Sequence, residues 1–263
     1  MSVRAAVCQF PVSLDVEANV AHIVDLIDQA ADAEAAIAVF AECALSGYPY
    51  PVEDGVKALD AVRLESGLGS VRRASRERGI WTVTGSTHVC ENGDRFNSAY
   101  VVDSNGALAA RYDKRILFAH ERRFYSPGQK PVTFEIDGLL FGVLICYEMQ
   151  FAEFYREYKA LGVECVVHPK YSLPEYDVDP LEDVVEADSF PPSVHAVYNR
   201  MTILSPNDSS VGGSRVFYPD GREEQLASGS TTLRIVEVAK SEGPRRQIDI
   251  DRDSLLGYYR EAE

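Results

Sequence analysis

The chain has no apolar run approaching the roughly 18 residues that a membrane-crossing helix requires, and no repeat, low-complexity tract or linker interrupts its 263 residues. No membrane role is expected, and residues 1–263 read as a single domain. The opening MSVRAAVCQFPV has one early positive charge and no apolar core ahead of a small-residue cleavage site, so it does not read as a signal peptide. A cytoplasmic protein is expected. Basic residues are few, 26 against 41 acidic, for a net charge of −15. Binding to nucleic acid or an anionic membrane would meet long-range repulsion, and a well-solvated surface is the simpler meaning. Lysine is scarcer still, six of those 26 cations. The five cysteines (Cys8, Cys43, Cys90, Cys146 and Cys165) are far apart and include no CxxC pair, which argues against a disulfide framework or a zinc site. The five histidines show no HxxEH or similar ligand spacing. A GxSxG elbow and a papain-type C-G-S-C-W signature are also missing, which disfavours those hydrolase folds.

What is present is 46% hydrophobic residues, enough for a sizeable α/β core. Val3–Gln9 reads as a strand, and Val20, Ile23, Val24 and Ile27 follow at helical spacing, with Asp15 as a cap. A second strand, Ile37–Phe40, ends at Glu42 before a Gly/Pro turn. A helix over Leu59–Arg78 is closed by Gly79. Three strands, Ile80–Val89, Asn97–Asp103 and Leu108–Tyr112, are joined by connectors containing Asn-Gly, a hairpin signal. Strands resume at Val132–Ile136, Leu140–Ile145 and Val163–His168. Pro169 to Pro192 is long, acidic and without periodicity, as lids and binding loops are. A helix at Ser193–Arg200, strands at Met201–Ser205 and within Gly212–Gly221, an alternating Gln247–Asp251 and a short terminal helix complete the pattern.

The strongest single signal is FGVLICYEMQFAE, residues 141–153. An apolar strand leads to Cys146, and Phe151, Phe154, Tyr155 and Tyr158 then repeat at helical spacing. Cys146 is expected on a strand-to-helix turn, where the helix N-terminus lowers a thiol's pKa. Glu42 and Lys114 each follow a strand as well. Carboxyl ends of neighbouring strands meet in α/β sheets, so the three side chains can share one site. A thiol beside a carboxylate base and an ammonium group is an arrangement for acyl transfer. Cys8 and Cys165 lie within strands and read as packing residues, and Cys43 as pocket wall.

FAECALSGY around Glu42, YDKRIL around Lys114 and GVLICYEMQFAE around Cys146 resemble, in order and spacing, the three motifs of the nitrilase or carbon–nitrogen hydrolase superfamily. That resemblance implies an αββα sandwich of two mixed sheets flanked by helices, commonly dimerised or further stacked, with no metal or organic cofactor. It implies Glu42 as general base, Lys114 as oxyanion stabiliser and Cys146 as nucleophile, with the Tyr147 N–H sharing the oxyanion. Glu121 stands seven residues before Gly128 of a Ser-Pro-Gly turn, where many members keep a glutamate that positions substrate. Glu148 matches an acidic position that supports the loop. Two departures, Ile116 where histidine is usual and Val194-His195-Ala196 where arginine is common, bear on substrate subclass.

Tyr48, Tyr147, His120 and Tyr171 are the candidate substrate-binding residues, His120 alternatively being structural. Aromatic and acidic groups together suit a small polar amide, one carrying an amine included. The leading reading is a hydrolase of non-peptide C–N bonds acting through a Cys146 thioester and releasing ammonia or amine. Nitrile hydrolysis and acyl transfer to an amine would use the same residues, and a catalytically silent interaction protein is the non-enzymatic alternative.

Overall fold

The computed structural model describes residues 1–49, 59–171, 192–210 and 212–241. Two six-stranded mixed sheets lie face to face between helices. The first has the order β12-β1-β2-β3-β4-β5, with β1 (Ser2–Gln9), β2 (Ile37–Val39), β3 (Trp81–Val89), β4 (Arg95–Val102), β5 (Leu108–Asp113) and β12 (Thr232–Ala239). The second runs β11-β10-β9-β8-β7-β6, with β6 (Thr133–Ile136), β7 (Leu139–Val143), β8 (Cys165–Val167), β9 (Thr202–Ser205), β10 (Arg215–Phe217) and β11 (Glu223–Gln225). Each sheet has a parallel centre, β1-β2-β3 and β7-β8-β9, with antiparallel strands outside it. This is the αββα sandwich that the motifs imply.

The period-2 pattern explains the layering. Val3, Ala5 and Val7 of β1 join Ile37, Val39, Phe141, Val143 and Ile203 in the core between the sheets. Ala6 and Cys8, on the opposite face, pack with Ile23, Leu26 and Ile27 of α1 (Val16–Asp32) and with Leu64 and Val71 of α2 (Ala61–Arg78). Asp15 caps α1, its side chain accepting from the Ala18 N–H, and Gly79 closes α2 at φ 66°. The buried face of α1 is Val16, Asn19, Ile23, Leu26, Ile27 and Ala30. Val20 and Val24 sit on its flank, because buried Asn19 is drawn inward to donate to the carbonyls of Ser13 and Leu45. On the outer face of the second sheet, α3 (Ala152–Ala160) and α4 (Pro192–Asn199) pack together, and Tyr155, Tyr158 and Ala196 enter the core.

Two features differ from the sequence reading. The alternating segment Gln247–Asp251 and the terminal helix lie outside the described residues, whereas β11 and β12 lie in residues that reading passed over. β12 pairs with β1 along all eight residues, Ser2↔Ala239 to Gln9↔Thr232. The second difference concerns Cys146. It opens a 3-10 turn, Cys146–Gln150, that ends at extended Phe151, and the α-helix begins only at Ala152. Among the described residues no helix is long and apolar enough to cross a membrane.

Candidate active site

Glu42 follows β2, Lys114 follows β5, and Cys146 follows β7 after the two intervening residues Leu144 and Ile145, so three strand ends bring them together. The Lys114 ammonium lies 2.9 Å from Glu42 Oε1 and 2.8 Å from Glu121 Oε2, with all three side chains no more than 1% exposed. Burial alone would push the lysine's pKa down. The carboxylates of Glu121 and Glu42 outweigh it, and the pKa stands well above the ordinary lysine value. Burial pushes Glu42 the other way, above the usual carboxylate range, against the pull of Lys114.

Asn97, which the motifs do not mark, joins the two acids. Its side-chain N–H groups donate to Glu42 Oε1 and Glu121 Oε1, each at 2.7 Å. Glu121 Oε2 also accepts from the Phe118 N–H at 2.7 Å. Every Glu121 oxygen is therefore engaged, whereas Glu42 Oε2 is buried without a protein partner. One oxygen of Glu42 is held and the other accepts no hydrogen bond.

Close approach explains two glycines here. A Cβ on Gly85 of β3 would fall 2.4 Å from Cys43 N and 2.5 Å from Ala41 O, so only glycine lets the Glu42 turn pack on that strand. A Cβ on Gly128 would fall 2.0 Å from Asp113 O, and the Gly128 N–H donates to the Lys114 carbonyl at 2.8 Å. The Ser-Pro-Gly turn thus braces the lysine.

Cys146 has φ 46°, in the left-handed region that a β-carbon disfavours. Its conformation is held from several sides. The Cys146 N–H donates to Pro169 O at 2.9 Å, and its carbonyl accepts from His168 Nε2 at 3.0 Å. His168 is fully buried and its pKa is pushed down to about 3, chiefly by desolvation. It is neutral, and since a carbonyl can only accept, the proton sits on Nε2. The sulfur itself lies 3.7 Å from Tyr171 O. Desolvation pushes the thiol up to about 12, with Glu42 adding to the rise and Lys114 and Lys170 opposing it. The expected helix-terminus effect is thus overturned, because a five-residue 3-10 turn supplies little dipole and burial dominates.

Glu148 supports the loop through its carboxylate, which accepts from the Ile145 N–H at 2.7 Å, the Arg115 N–H at 2.8 Å, the Ile116 N–H at 3.3 Å and the Tyr112 hydroxyl at 2.8 Å. It joins the residues before Cys146 to those after Lys114. Ile116 enters by its backbone, so the network survives the missing histidine side chain. His195 stacks on Tyr155 at 4.1 Å and bonds Met149 O at 3.0 Å, tying α4 to the Cys146 turn.

Aromatic residues line the remaining sides. The Tyr48 hydroxyl meets His120 Nε2 at 2.8 Å and donates to Glu121 Oε1 at 3.3 Å, and its ring stacks on Tyr171 at 4.6 Å. Phe118 packs edge-on against both His120 and Tyr147. Desolvation pushes His120 down to about 4, so it is neutral. The eight candidate residues from the sequence form one connected cluster, and Asn97 and His168 are additions to it. Among the described residues no cluster of metal-ligating side chains occurs.

A family model for carbon–nitrogen hydrolases matches residues 4–241. The chain belongs to the carbon–nitrogen hydrolase family. Relatives within this reach include the 2-oxoglutaramate amidase of Bacillus subtilis, 27% identical over 184 residues that cover 68% of this chain and 70% of the relative. The human omega-amidase NIT2 is 29% identical over 177 residues, 64% of this chain and 63% of the relative. The fold is shared with an amidase of Nesterenkonia sp. AN1 in complex with butyramide, with a TM-score of 0.81 at 23% identity and coverage of 98% of this chain and 96% of that one.

Proposed function

We propose that this carbon–nitrogen hydrolase is a thiol-dependent amidase that cleaves a small amide through a Cys146 thioester. The carrying observation is the division of labour on Glu42, one carboxylate oxygen held by Lys114 and Asn97 and the other unpartnered in a dry site. A thiol raised to about 12 is not a standing thiolate at neutral pH, so its proton must leave as the sulfur attacks. Glu42, whose burial strengthens it as a base, takes that proton. The sulfur–carbon bond forms as the carbonyl π bond opens, and Lys114 with the Tyr147 N–H stabilises the resulting oxyanion. Glu42 returns the proton to the amide nitrogen, the C–N bond breaks, and ammonia or an amine leaves. Glu42 then takes a proton from water as hydroxide adds to the thioester, and it returns that proton to the departing Cys146 sulfur as the C–S bond breaks, which releases the acid and restores both the thiol and the Glu42 carboxylate. Glu121, held by four donors, positions the substrate amide.

The names of the relatives support the amide over the nitrile, three of them being amidases. The same proposal takes residues 1–263 as one hydrolase domain, assembled as a homodimer or larger homo-oligomer in the cytoplasm. All five cysteines are free, as a reducing compartment keeps them. Ammonia release from butyramide, ω-amides, N-carbamoyl amino acids and nitriles, with the Cys146→Ala variant alongside, tests the reading. Turnover abolished in the variant is expected. Turnover that persists in it would remove Cys146 as nucleophile, and a product carrying an added amine would mark an acyltransferase.

A further inference from the structure

His168 is a fully buried imidazole that takes no part in the proposed bond-making steps. It stands one residue past β8, and its own N–H donates to the Leu204 carbonyl of β9 at 2.7 Å. The ring's one hydrogen bond among the described residues runs from Nε2 to the Cys146 carbonyl at 3.0 Å, while Nδ1 is buried without a partner. A histidine so placed gives up the hydration of Nδ1 with nothing in return. An apolar side chain would fill the same space without that cost, so the reason for a histidine here lies in the bond that Nε2 makes.

That bond acts on one peptide group. Cys146 is gripped from both sides by consecutive residues, its N–H by Pro169 O at 2.9 Å and its carbonyl by His168 Nε2. The first bond fixes the peptide that precedes Cys146 and the second fixes the peptide that follows it. Between them φ is 46°, a conformation that needs holding. The following peptide is a rigid trans plane in which the Cys146 carbonyl and the Tyr147 N–H point in opposite directions. Whatever holds the oxygen therefore aims the N–H. Tyr147 is the second residue of the 3-10 turn, where an N–H has no partner within the turn itself. Accepting a hydrogen bond at the oxygen also polarises the peptide and strengthens its N–H as a donor.

We propose that His168 is a positioning residue for the oxyanion site: by donating to the Cys146 carbonyl it sets the plane of the peptide between Cys146 and Tyr147, and so directs the Tyr147 N–H at the oxygen of the reacting carbonyl. This rests on the thioester reading and names the residue through which one of its two oxyanion donors is aimed.

The test compares His168→Met with His168→Gln, side chains of equal length of which glutamine alone can donate to the carbonyl. For butyramide, His168→Met is expected to lower kcat about 10- to 100-fold with KM little changed, because the aimed N–H serves the transition state. His168→Gln is expected to restore most of kcat. Methyl methanethiosulfonate checks the sulfur itself. The Cys146 thiol attacks it at sulfur, a disulfide forms, methanesulfinate leaves and no oxyanion develops, so labelling at Cys146, read by peptide mass spectrometry, should keep its wild-type rate in both variants. His195→Met removes a like bond from the Met149 carbonyl of the same turn and is expected to leave the ratio of kcat to labelling rate as in wild type. Should methionine in place of His168 impair folding, His168→Asn, whose amide is too short to reach the carbonyl, takes its place. Equal kcat in the donor and non-donor variants, labelling that falls in step with kcat, or the same change of ratio in His195→Met overturns the proposal. Butyraldehyde separates that outcome from failure of the amidase reading. In its thiohemiacetal with Cys146 the sulfur bonds to carbon, the thiol proton passes to oxygen, and that oxygen stands where the oxyanion would. If wild type releases no ammonia from butyramide, aldehyde binding that weakens in His168→Met and recovers in His168→Gln upholds the positioning role alone, and binding unchanged or absent overturns both.

Discussion

Lys114 Nζ and Glu42 Oε1 stand 2.9 Å apart in a site from which water is almost wholly excluded. Desolvating such a pair costs several kcal/mol per ion, and a single contact seldom repays it. Here Glu121 supplies a second carboxylate at 2.8 Å, and Asn97 ties the two acids to each other. One cation between two anions leaves a buried surplus of negative charge. Burial, with the Glu121 charge adding to it, makes Glu42 hold a proton more tightly than a free carboxylate, while the two carboxylates make Lys114 hold its own more tightly than a free amine.

The lysine is consequently the keystone of stability as well as a candidate for the oxyanion. Lys114→Met strands two carboxylates and should cost about 3–5 kcal/mol, the usual penalty for breaking a buried pair. Glu42→Gln leaves Lys114 with Glu121 and should cost only about 1–2 kcal/mol. Urea unfolding of the two variants at pH 7 compares them. Equal midpoints would mean that Lys114 is not the shared counter-ion of both acids.

Asn97 offers a test of how closely the two acids are coupled. Asn97→Ala removes one charge-assisted hydrogen bond from each, and the expected loss in kcat/KM is about 10- to 100-fold. Asn97→Asp replaces the donor with a third carboxylate and should abolish turnover at neutral pH. Steady-state amide hydrolysis reads both. An Asn97→Asp protein as active as Asn97→Ala would show that the bridging amide, and not the local charge, is all that matters.

The acids, the lysine and the thiol were legible because each follows an apolar run that ends in a distinctive motif, and the sandwich followed from them. Asn97 was not, because it lies inside β4 in a run that reads as ordinary strand, and only the β3–β4–β5 pairing turns its amide toward Glu42. His168 carries no periodicity and becomes meaningful only when β8 is laid beside β7. β12 escaped notice because its two apolar faces, Leu233 and Ile235 against Val236 and Val238, blur the alternation that marks a half-buried strand. The thiol's pKa was misjudged for a different reason. A sequence shows where a helix begins only to within a turn, and it cannot show how much water surrounds a sulfur.

Buried His168 should make the protein sensitive to acid. Its folded pKa of about 3 lies below the roughly 6.5 of an exposed histidine, so the fold favours the neutral form. The stability this confers is complete above about pH 6.5 and is lost on acidification toward 3, at about 1.4 kcal/mol per pH unit. Glu42 and Glu148, raised in the fold, act in the opposite sense, their contribution present at low pH and lost as pH rises. His168→Gln keeps a donor for the Cys146 carbonyl but does not titrate. The stability difference between wild type and this variant, from urea midpoints at pH 7 and pH 4.5, should move by about 2–3 kcal/mol in favour of the variant at the lower pH. A difference independent of pH would show that His168 is protonated at neutral pH or reached by solvent.

A pair of glycine substitutions separates packing at the site from packing elsewhere. Gly85→Ala forces a methyl group to within 2.4 Å of Cys43 N and 2.5 Å of Ala41 O, backbone atoms on either side of Glu42 that cannot yield without moving it. Overpacking of this kind costs about 1–3 kcal/mol, and the displaced carboxylate should lose activity well beyond that loss of stability. Gly69, on α2, has no atom within 4 Å of the added carbon. Gly69→Ala should therefore stabilise by about 0.5–1 kcal/mol through helix propensity alone, with kcat/KM as in wild type. Thermal unfolding and amide turnover on both proteins check the contrast. A Gly85→Ala protein with normal activity would mean that the Glu42 turn has slack and that the tight β3 contact does not set the position of the base.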